Sequence, residues 1–201
     1  IDRPLAATAW ADEVLADLHR FQALVVGPGL GRDDDTRRSV VRLVTESDVP
    51  VVVDGDGLAA LPWNPDGSVA FLRERRGPVV LTPHDGEYAA LTGARPGVDR
   101  VAAAHHLAEA TGAVVLLKGP TTVVADPAGP TWFVVNGDER LATAGTGDVL
   151  AGVITALLAR GAEPVHAAAA GAWLHAAAAA AGPRRGLVAS DLLLELPGVL
   201  P

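Results

Sequence analysis

Residues 136–161 read NGDERLATAGTGDVLAGVITALLARG and contain a polar turn, a glycine-rich segment and an apolar run. The apolar residues recur at helical spacing, at Val149, Leu150, Val153, Ile154, Leu157 and Leu158. Gly161 follows where the C-terminal cap of a helix is expected. The pattern therefore predicts a helix that begins between Thr146 and Asp148.

The glycine-rich segment before this helix predicts a site for an anion. Gly145 and Gly147 leave backbone N–H groups uncovered by side chains, and the first N–H groups of a helix have no acceptor inside it. Such a helix start attracts phosphate. Asp148 would repel phosphate, unless it takes a proton from a hydroxyl group that attacks phosphorus. From these residues alone, Thr146 or Asp148 acting only as a helix cap is an equally good interpretation.

Outside this stretch, short apolar runs alternate with polar loops and helical segments. The runs predicted as strands are 23–26, 49–53, 78–81 and 113–117. The predicted helices are 8–20, 34–47, 99–110, 164–181 and 190–196. A turn at 126–129 divides residues 121–135 into a hairpin. Repeated βα units predict an α/β fold with a mostly parallel sheet, helices on both faces, and ligands at the carboxyl ends of the strands.

The composition narrows the class of protein. The 201 residues suffice for one domain, 1–201, and hydrophobic residues make up 49% against 20% charged residues, so a packed core is expected. A formal net charge of −8 argues against nucleic acid or an anionic membrane as a partner. No apolar run has the length of a membrane span. The sequence has no cysteine, which excludes disulfides, thiolate metal sites and a cysteine nucleophile, and fits a cytoplasmic protein.

The central stretch resembles the signature of a known enzyme family. Segment 142–152 (ATAGTGDVLAG), with Asn136 before it and LLARG at 157–161 after it, is similar to that of the NAD(P)H-hydrate dehydratases. The resemblance implies a ribokinase-like fold, a three-layer sandwich with a hairpin before the helix that forms the anion hole. It also implies repair of hydrated NADH or NADPH at the expense of ADP or ATP as phosphoryl donor, with Mg²⁺ as an expected cofactor.

The resemblance implies that the hydroxyl group of the hydrate is phosphorylated and phosphate is then eliminated, with Asp148 as the catalytic base in contact with the substrate. Segments 27–31 (GPGLG) and 82–87 (TPHDGE) resemble family segments near the substrate. They imply Gly29 and His84 as substrate contacts, although His84 also stands where it would cap the next helix. GPGLG lacks the spacing of the G-x-G-x-x-G fingerprint, which excludes a Rossmann oxidoreductase.

Lys118 follows a predicted strand and begins the segment KGPTT at 118–122. A cation and two hydroxyl groups beside exposed amides can bind phosphate, whereas a lysine in solvent beside a turn is the simpler interpretation. The segment resembles the K-G-x-x-T of the family. The resemblance implies that the adenine nucleotide is bound by Lys118, Gly119, Thr121, Thr122, Gly145, Thr146 and Gly147.

Asp54 and Asp56 lie in the segment DGDGL at 54–58, which resembles the D-A-D-A-L of the family with glycine in place of both alanines. The two acids are expected either to help to hold Mg²⁺ through water or to form a turn that caps the next helix. The glycines are expected to loosen the loop. No direct metal ligands are assigned, and His166 and His175, nine residues apart, lack metal-ligand spacing.

The chain begins at Ile1, contains no methionine and starts after the βα region with which the family usually opens, so a truncation at the N-terminus is expected. Two alternatives to the dehydratase are a small-molecule kinase of the same fold, similar to the hydroxyethylthiazole kinases, and a catalytically silent nucleotide-binding fragment. The sequence leaves open whether ADP or ATP is the donor, which hydrate is preferred, whether an epimerase domain lies upstream, and whether the chain forms a homo-oligomer.

Overall fold

The computed structural model describes residues 10–62 and 72–200, and these contain one six-stranded sheet with its strands in chain order. The strands are β1 (Leu24–Val26), β2 (Val51–Val53), β3 (Val79–Leu81), β4 (Val114–Leu117), β5 (Thr122–Ala125) and β6 (Thr131–Val134). Strands β1 to β4 run parallel, and β5 and β6 form an antiparallel hairpin after β4. The predicted mostly parallel sheet and the predicted hairpin are therefore confirmed.

Helices follow or connect these strands. Those of the described residues are α1 (Trp10–Asp17), α2 (Asp34–Glu46), α3 (Asp56–Ala60), α4 (Asp85–Thr92), α5 (Arg100–Thr111), α6 (Thr146–Ala159), α7 (Pro164–Ala181) and α8 (Ala189–Val199). Helix α6 begins within the predicted window, and Gly161 follows its end with a φ of +86°. The predicted helix 8–20 is present as α1 and a 3₁₀ turn, Leu18–Arg20, while residues 8 and 9 lie outside the described ranges.

Both faces of the sheet are buried at β2, β3 and β4, so these strands read as continuous apolar runs. Val51 and Val53 belong to the core that contains residues of α1 to α5. Val52, Val80 and Leu116 belong to a second core, which contains residues of α6 and α7. Successive side chains of a strand point to opposite faces, and parallel sheets are normally covered on both. The result is a three-layer arrangement with helices, sheet and helices.

Helix α7 packs closely on α6 because its surface is mainly alanine and glycine. A Cβ atom on Gly171 would lie 2.6 Å from Ile154 Cγ1 of α6, so a larger residue would force the two helices apart. Ala167 and Ala168 are fully buried in the core between α7 and the sheet. Because interiors are close-packed, these small residues set the depth at which α6 lies on the sheet.

Two loops at the carboxyl edge approach each other so closely that only glycine fits. Gly27, after β1, has a φ of +127°, and a Cβ atom there would lie 1.8 Å from the carbonyl oxygen of Asp54 after β2. A Cβ atom on Gly57 would lie 2.6 Å from the carbonyl oxygen of Val26. The expectation that glycine loosens segment 54–58 is therefore wrong at Gly57, because the missing side chain allows close packing.

Arg75 joins chain segments at the amino edge of the sheet. Its guanidinium donates hydrogen bonds to the carbonyl oxygens of Ser47 (2.6 Å), Val49 (2.9 Å), Gly77 (2.9 Å) and Pro78 (3.1 Å). Burial lowers the pKa of Arg75 from its usual value, although the side chain stays charged at neutral pH. The Arg75 guanidinium thus links the residue after α2 to the segments that lead into β2 and β3.

Replacing Arg75 with methionine is expected to lower the free energy of unfolding by about 2–4 kcal/mol, because several partly buried carbonyl oxygens lose their donor. Arg76 is exposed, so Arg76→Met is expected to change it by less than about 0.5 kcal/mol. Urea unfolding of the two variants measures the difference. Equal effects of both substitutions would contradict the assigned role of Arg75.

Candidate active site at the carboxyl edge of the sheet

One buried carboxylate joins the ends of three neighbouring strands. Asp54 follows β2 and is 2% exposed, and its Oδ1 accepts hydrogen bonds from Thr82 Oγ1 after β3 (2.8 Å) and from Lys118 Nζ after β4 (2.8 Å). Lys118 Nζ also lies 3.5 Å from Glu87 Oε2. A buried charge requires such partners, because the loss of water otherwise disfavours it. Lys118 is therefore held at this edge, and the simpler interpretation of a lysine in solvent is wrong.

His84 caps α4 and retains one ring nitrogen as a donor. Its Nδ1 accepts hydrogen bonds from the backbone N–H groups of Gly86 (2.9 Å) and Glu87 (3.1 Å), while Glu87 Oε2 accepts one from the backbone N–H of His84 (2.8 Å). This reciprocal arrangement is a capping box. Because Nδ1 is an acceptor, the hydrogen of the neutral ring lies on Nε2. The side chain is 59% exposed, so the cap leaves an accessible N–H donor.

Arg100 of α5 holds the backbone around Lys118. Its Nη2 donates to the carbonyl oxygen of Lys118 (2.8 Å), and its Nη1 donates to Asp85 Oδ1 of α4 (2.7 Å). Gly119 makes room for this guanidinium, since a Cβ atom there would lie 2.5 Å from Arg100 Nη2. The backbone N–H of Lys118 donates to the carbonyl oxygen of Pro83 (2.8 Å). The path of the Lys118–Gly119 segment is thus fixed from two sides.

The start of α6 is shaped by a glycine in the left-handed region and by a buried hydroxyl. Gly145 is the N-cap residue, with a φ of +85°. Thr146 is buried, and its Oγ1 lies within hydrogen-bond distance of the carbonyl oxygens of Leu141 (2.7 Å) and Thr143 (2.8 Å). The Thr146 hydroxyl therefore points into the protein and stabilises the turn that precedes the helix.

Gly147 and Asp148 carry polar groups that the folded chain does not use. Within residues 10–62 and 72–200, their backbone N–H groups have no acceptor, and the exposed Asp148 carboxylate has no hydrogen-bond or ion-pair partner. A Cβ atom on Gly147 would lie 3.6 Å from Lys118 Nζ and 3.7 Å from Asp54 Oδ2. These are ordinary van der Waals distances, so the start of α6 lies close to the Lys118–Asp54 pair, and free amides, an ammonium group and a carboxylate are near one another.

Gly29 lies in the loop after β1, and Asp56 braces this loop. Asp56 Oδ2 accepts a hydrogen bond from the backbone N–H of Gly31 (3.0 Å), and its Oδ1 accepts one from Arg32 Nε (2.7 Å). The hydrogen bond from Arg32 is the main cause that lowers the pKa of the Asp56 carboxyl. No atom of the described chain lies within 4 Å of a Cβ atom built on Gly29, so the loop surface is open there.

Thr121 and Thr122 stand at the same edge, because β5 runs antiparallel to β4 and begins where β4 ends. The structure therefore brings the predicted site residues to the carboxyl edge of the sheet. Among the residues it describes, no group of three or more histidine, cysteine or acidic side chains is arranged to hold a metal ion. No helix in the same ranges is both long and apolar enough to cross a lipid bilayer.

A family model described as NAD(P)H-hydrate dehydratase matches residues 3–197, nearly the whole chain. The chain belongs to the NAD(P)H-hydrate dehydratase family.

The curated relatives of this dehydratase-family chain include enzymes named as bifunctional and an enzyme named only as a dehydratase. The bifunctional NAD(P)H-hydrate repair enzyme of Mycobacterium tuberculosis is 52% identical over 150 residues, which are 75% of this chain and 31% of that protein. The ADP-dependent (S)-NAD(P)H-hydrate dehydratase of Neisseria meningitidis is 38% identical over 205 residues, covering 94% of this chain and 69% of that protein. The chain thus spans about a third of the length of the bifunctional relatives.

Solved structures confirm the ribokinase-like fold of this dehydratase-family chain. The ADP/ATP-dependent NAD(P)H-hydrate dehydratase of Bacillus subtilis, co-crystallised with ATP and Mg²⁺, superimposes with a TM-score of 0.78 at 34% sequence identity. The match covers 89% of this chain and 63% of the Bacillus chain.

Two residues at this edge were not predicted from the sequence as part of the site. Arg100 falls in a predicted helix without any signal for its contact with the Lys118 carbonyl. His175 is one of two histidines in the alanine-rich α7, and it is buried, with its Nε2 2.8 Å from the carbonyl oxygen of Thr146. Only the packing of α7 against α6 brings this histidine beneath the start of α6.

The burial of His175 predicts a loss of stability in mild acid. Burial lowers its pKa to about 4, and the positive charge of Lys118 acts in the same direction, while the hydrogen bond to the Thr146 carbonyl opposes the shift. The unfolded chain binds a proton at this histidine below about pH 6.5, whereas the folded chain does not until about pH 4. Stability contributed by neutral His175 is therefore present above pH 6.5 and is lost as the pH falls.

Between pH 7 and pH 5 the wild-type protein is expected to lose about 2 kcal/mol of unfolding free energy more than the His175→Gln variant, which cannot titrate at this position. Urea unfolding at both pH values gives this difference, in which the other histidines cancel. The same pH dependence in the two proteins would show that His175 is protonated alike in the folded and unfolded states.

Proposed function

We propose that this chain catalyses the nucleotide-dependent dehydration of hydrated NADH and NADPH, by phosphorylation of the hydroxyl group of the hydrate and elimination of phosphate. The observation that carries the proposal is the first turn of α6, where free backbone N–H groups lie beside Lys118 and the Asp148 carboxylate has no partner among the described residues. The names of the Neisseria and Bacillus relatives support the substrate class. Membership of the same family favours dehydration over the simple kinase reaction.

Asp148 acts as the general base. It accepts the proton of the hydrate hydroxyl while the hydroxyl oxygen attacks the terminal phosphorus of the nucleotide, which leaves with one phosphoryl group fewer. Hydroxide is a poor leaving group, whereas phosphate is a good one. The hydroxyl oxygen then departs with the phosphate, and loss of a proton from the adjacent carbon restores the double bond.

The phosphates of ADP or ATP lie against the free N–H groups at the start of α6, with Lys118 beside them. Free amides and an ammonium group in a partly buried site stabilise the charge that develops during phosphoryl transfer. Thr146 takes part by shaping this turn, because its hydroxyl points inward and its backbone N–H donates to the carbonyl oxygen of Thr143. The remaining nucleotide contacts that we propose are Gly119, Thr121, Thr122, Gly145 and Gly147.

The donor set fits Mg²⁺ as a partner of the nucleotide. Mg²⁺ commonly takes one or two carboxylates, several waters and the phosphates of the substrate, so a cage of protein ligands is not required. Asp54, whose Oδ2 faces Gly147, and Glu87 would hold the ion, whereas Asp56 is committed to Arg32 and the Gly31 N–H. When bound, the ion neutralises charge on the phosphates. The Bacillus protein was co-crystallised with ATP and Mg²⁺, which supports Mg²⁺ as a partner of the nucleotide.

The hydrated nicotinamide nucleotide contacts Gly29 and His84. The open surface above Gly29 and the exposed Nε2–H of His84 offer space and a hydrogen-bond donor at the same edge of the sheet as Asp148. Substrate and donor are both metabolites of the cytoplasm, where we propose that the protein acts; the absence of cysteine is compatible with that reducing compartment.

Replacing Lys118 with methionine in the complete protein is expected to weaken ADP or ATP binding by about tenfold or more, because one charge-assisted contact is lost. It also leaves Asp54 buried without its cation, so stability falls as well. The double variant Lys118→Met/Asp54→Asn is expected to regain stability without regaining affinity. Calorimetric titration and urea unfolding separate the two effects, and wild-type affinity in either variant would remove Lys118 from the nucleotide site.

Replacing Asp148 with asparagine is expected to reduce turnover by roughly 10²–10⁴-fold while nucleotide affinity changes little, because the shape is kept and the base is lost. Asp34, an exposed acid in the first turn of α2, provides a matched control, and Asp34→Asn is expected to leave turnover unchanged. Turnover is measured as NADH recovered from its hydrate by the complete protein. Near-wild-type turnover of Asp148→Asn would remove this residue from the reaction, and a wild-type protein that binds nucleotide without turnover would favour the silent alternative.

A further inference from the structure

His175 reaches the start of α6 from below. It lies on α7, is 5% exposed, and its Nε2 is 2.8 Å from the carbonyl oxygen of Thr146, the first residue of α6. A carbonyl oxygen can only accept, so Nε2 carries the hydrogen and donates it. The close approach of the two helices at Gly171 and Ile154 makes this contact possible.

His175 stays neutral while it makes this contact. Burial lowers its pKa to about 4, well below neutral pH. The ring is therefore an uncharged donor with a fixed tautomer, and it adds no positive charge that would compete with Lys118 for the phosphates. The Nε2–H is committed to the Thr146 carbonyl, so His175 does not act on the substrate itself.

The Thr146 carbonyl and the Gly147 N–H belong to one peptide unit. A hydrogen bond donated to the oxygen of an amide polarises the unit and strengthens its N–H as a donor, as in cooperative hydrogen-bond chains. The hydrogen bond from His175 also fixes the plane of this peptide unit. The unit needs such a constraint because its N–H belongs to glycine, the residue with the most backbone freedom. The Gly147 N–H has no acceptor among the described residues, and Gly147 lies beside Lys118.

We propose that His175 is a positioning residue that holds and polarises the Thr146–Gly147 peptide, so that the Gly147 N–H is aimed at the transferred phosphoryl group. The proposal rests on the function proposed above. The contact on the far side of the peptide is made by a buried donor, which keeps water away from the carbonyl and leaves the N–H as the exposed end of the unit. The histidine thus acts on the reaction through the backbone, without touching substrate or nucleotide.

Two substitutions of similar size separate this role from simple packing. Glutamine can place its Nε2 where the histidine Nε2 lies and keeps an N–H donor, whereas methionine fills a similar volume without one. In the complete protein, His175→Met is expected to reduce kcat by about ten- to a hundredfold, because an anion-hole donor is weakened and not removed. The KM for the nucleotide is expected to change less than about threefold, because the donor matters most in the transition state. His175→Gln is expected to recover most of the kcat.

A second readout does not depend on turnover. In protein labelled with ¹⁵N at glycine, the Gly147 amide proton is expected to shift upfield in His175→Met and to stay near its wild-type position in His175→Gln, because the amide loses polarisation only in the former. An unchanged Gly147 resonance in His175→Met, or equal losses of kcat in both variants, would overturn the positioning role. If the wild-type protein does not dehydrate the hydrate at all, the proposed function fails, and the Gly147 shift still decides whether His175 polarises the peptide.

Discussion

The ion pair between Lys118 and the buried Asp54 is the interaction on which the rest of the site depends. It joins the end of β4 to the end of β2, and the hydroxyl of Thr82 attaches the end of β3 to the same carboxylate. A buried carboxylate is costly unless it is paired and hydrogen-bonded, so the sheet cannot rearrange at this edge without exposing an unpaired charge. The pair therefore fixes where a cation stands in a protein whose formal net charge is −8.

Around this pair the chain places glycine wherever another group must come close. Gly119 lets Arg100 reach the carbonyl oxygen of Lys118. Gly27 lets the loop after β1 lie against the loop after β2. In each case a side chain would occupy the space of the neighbouring group. Gly27 and Gly119 of this chain are thus explained by close packing and not only by exposure of amides to a ligand.

A residue at this edge can hold the backbone in place and also shape the proposed substrate site. His84 caps α4 through Nδ1, and the same bond fixes the tautomer that leaves Nε2–H as an exposed donor. Asp56 holds the loop that carries Gly29, because both of its carboxylate oxygens accept hydrogen bonds from that loop. Asp56 thus shapes the loop surface, although its carboxylate is not free to bind a ligand there. Capping and bracing thus orient the groups that we propose to contact the substrate, because a side chain that is fixed at one atom presents the other in a defined direction.

The sequence by itself determined the mostly parallel sheet, the helix that begins at Thr146 and the family, because local apolar runs, turn residues and the stretch 142–152 carry that information directly. Only the tertiary structure decided that Lys118 is paired with Asp54, that Asp56 binds Arg32, and that His175 lies under Thr146. These contacts join residues from 24 to 64 positions apart, and each depends on how deeply one element packs against another. Periodicity reports which face of an element is buried, but the partner that meets a given side chain is set by the close packing of the whole chain.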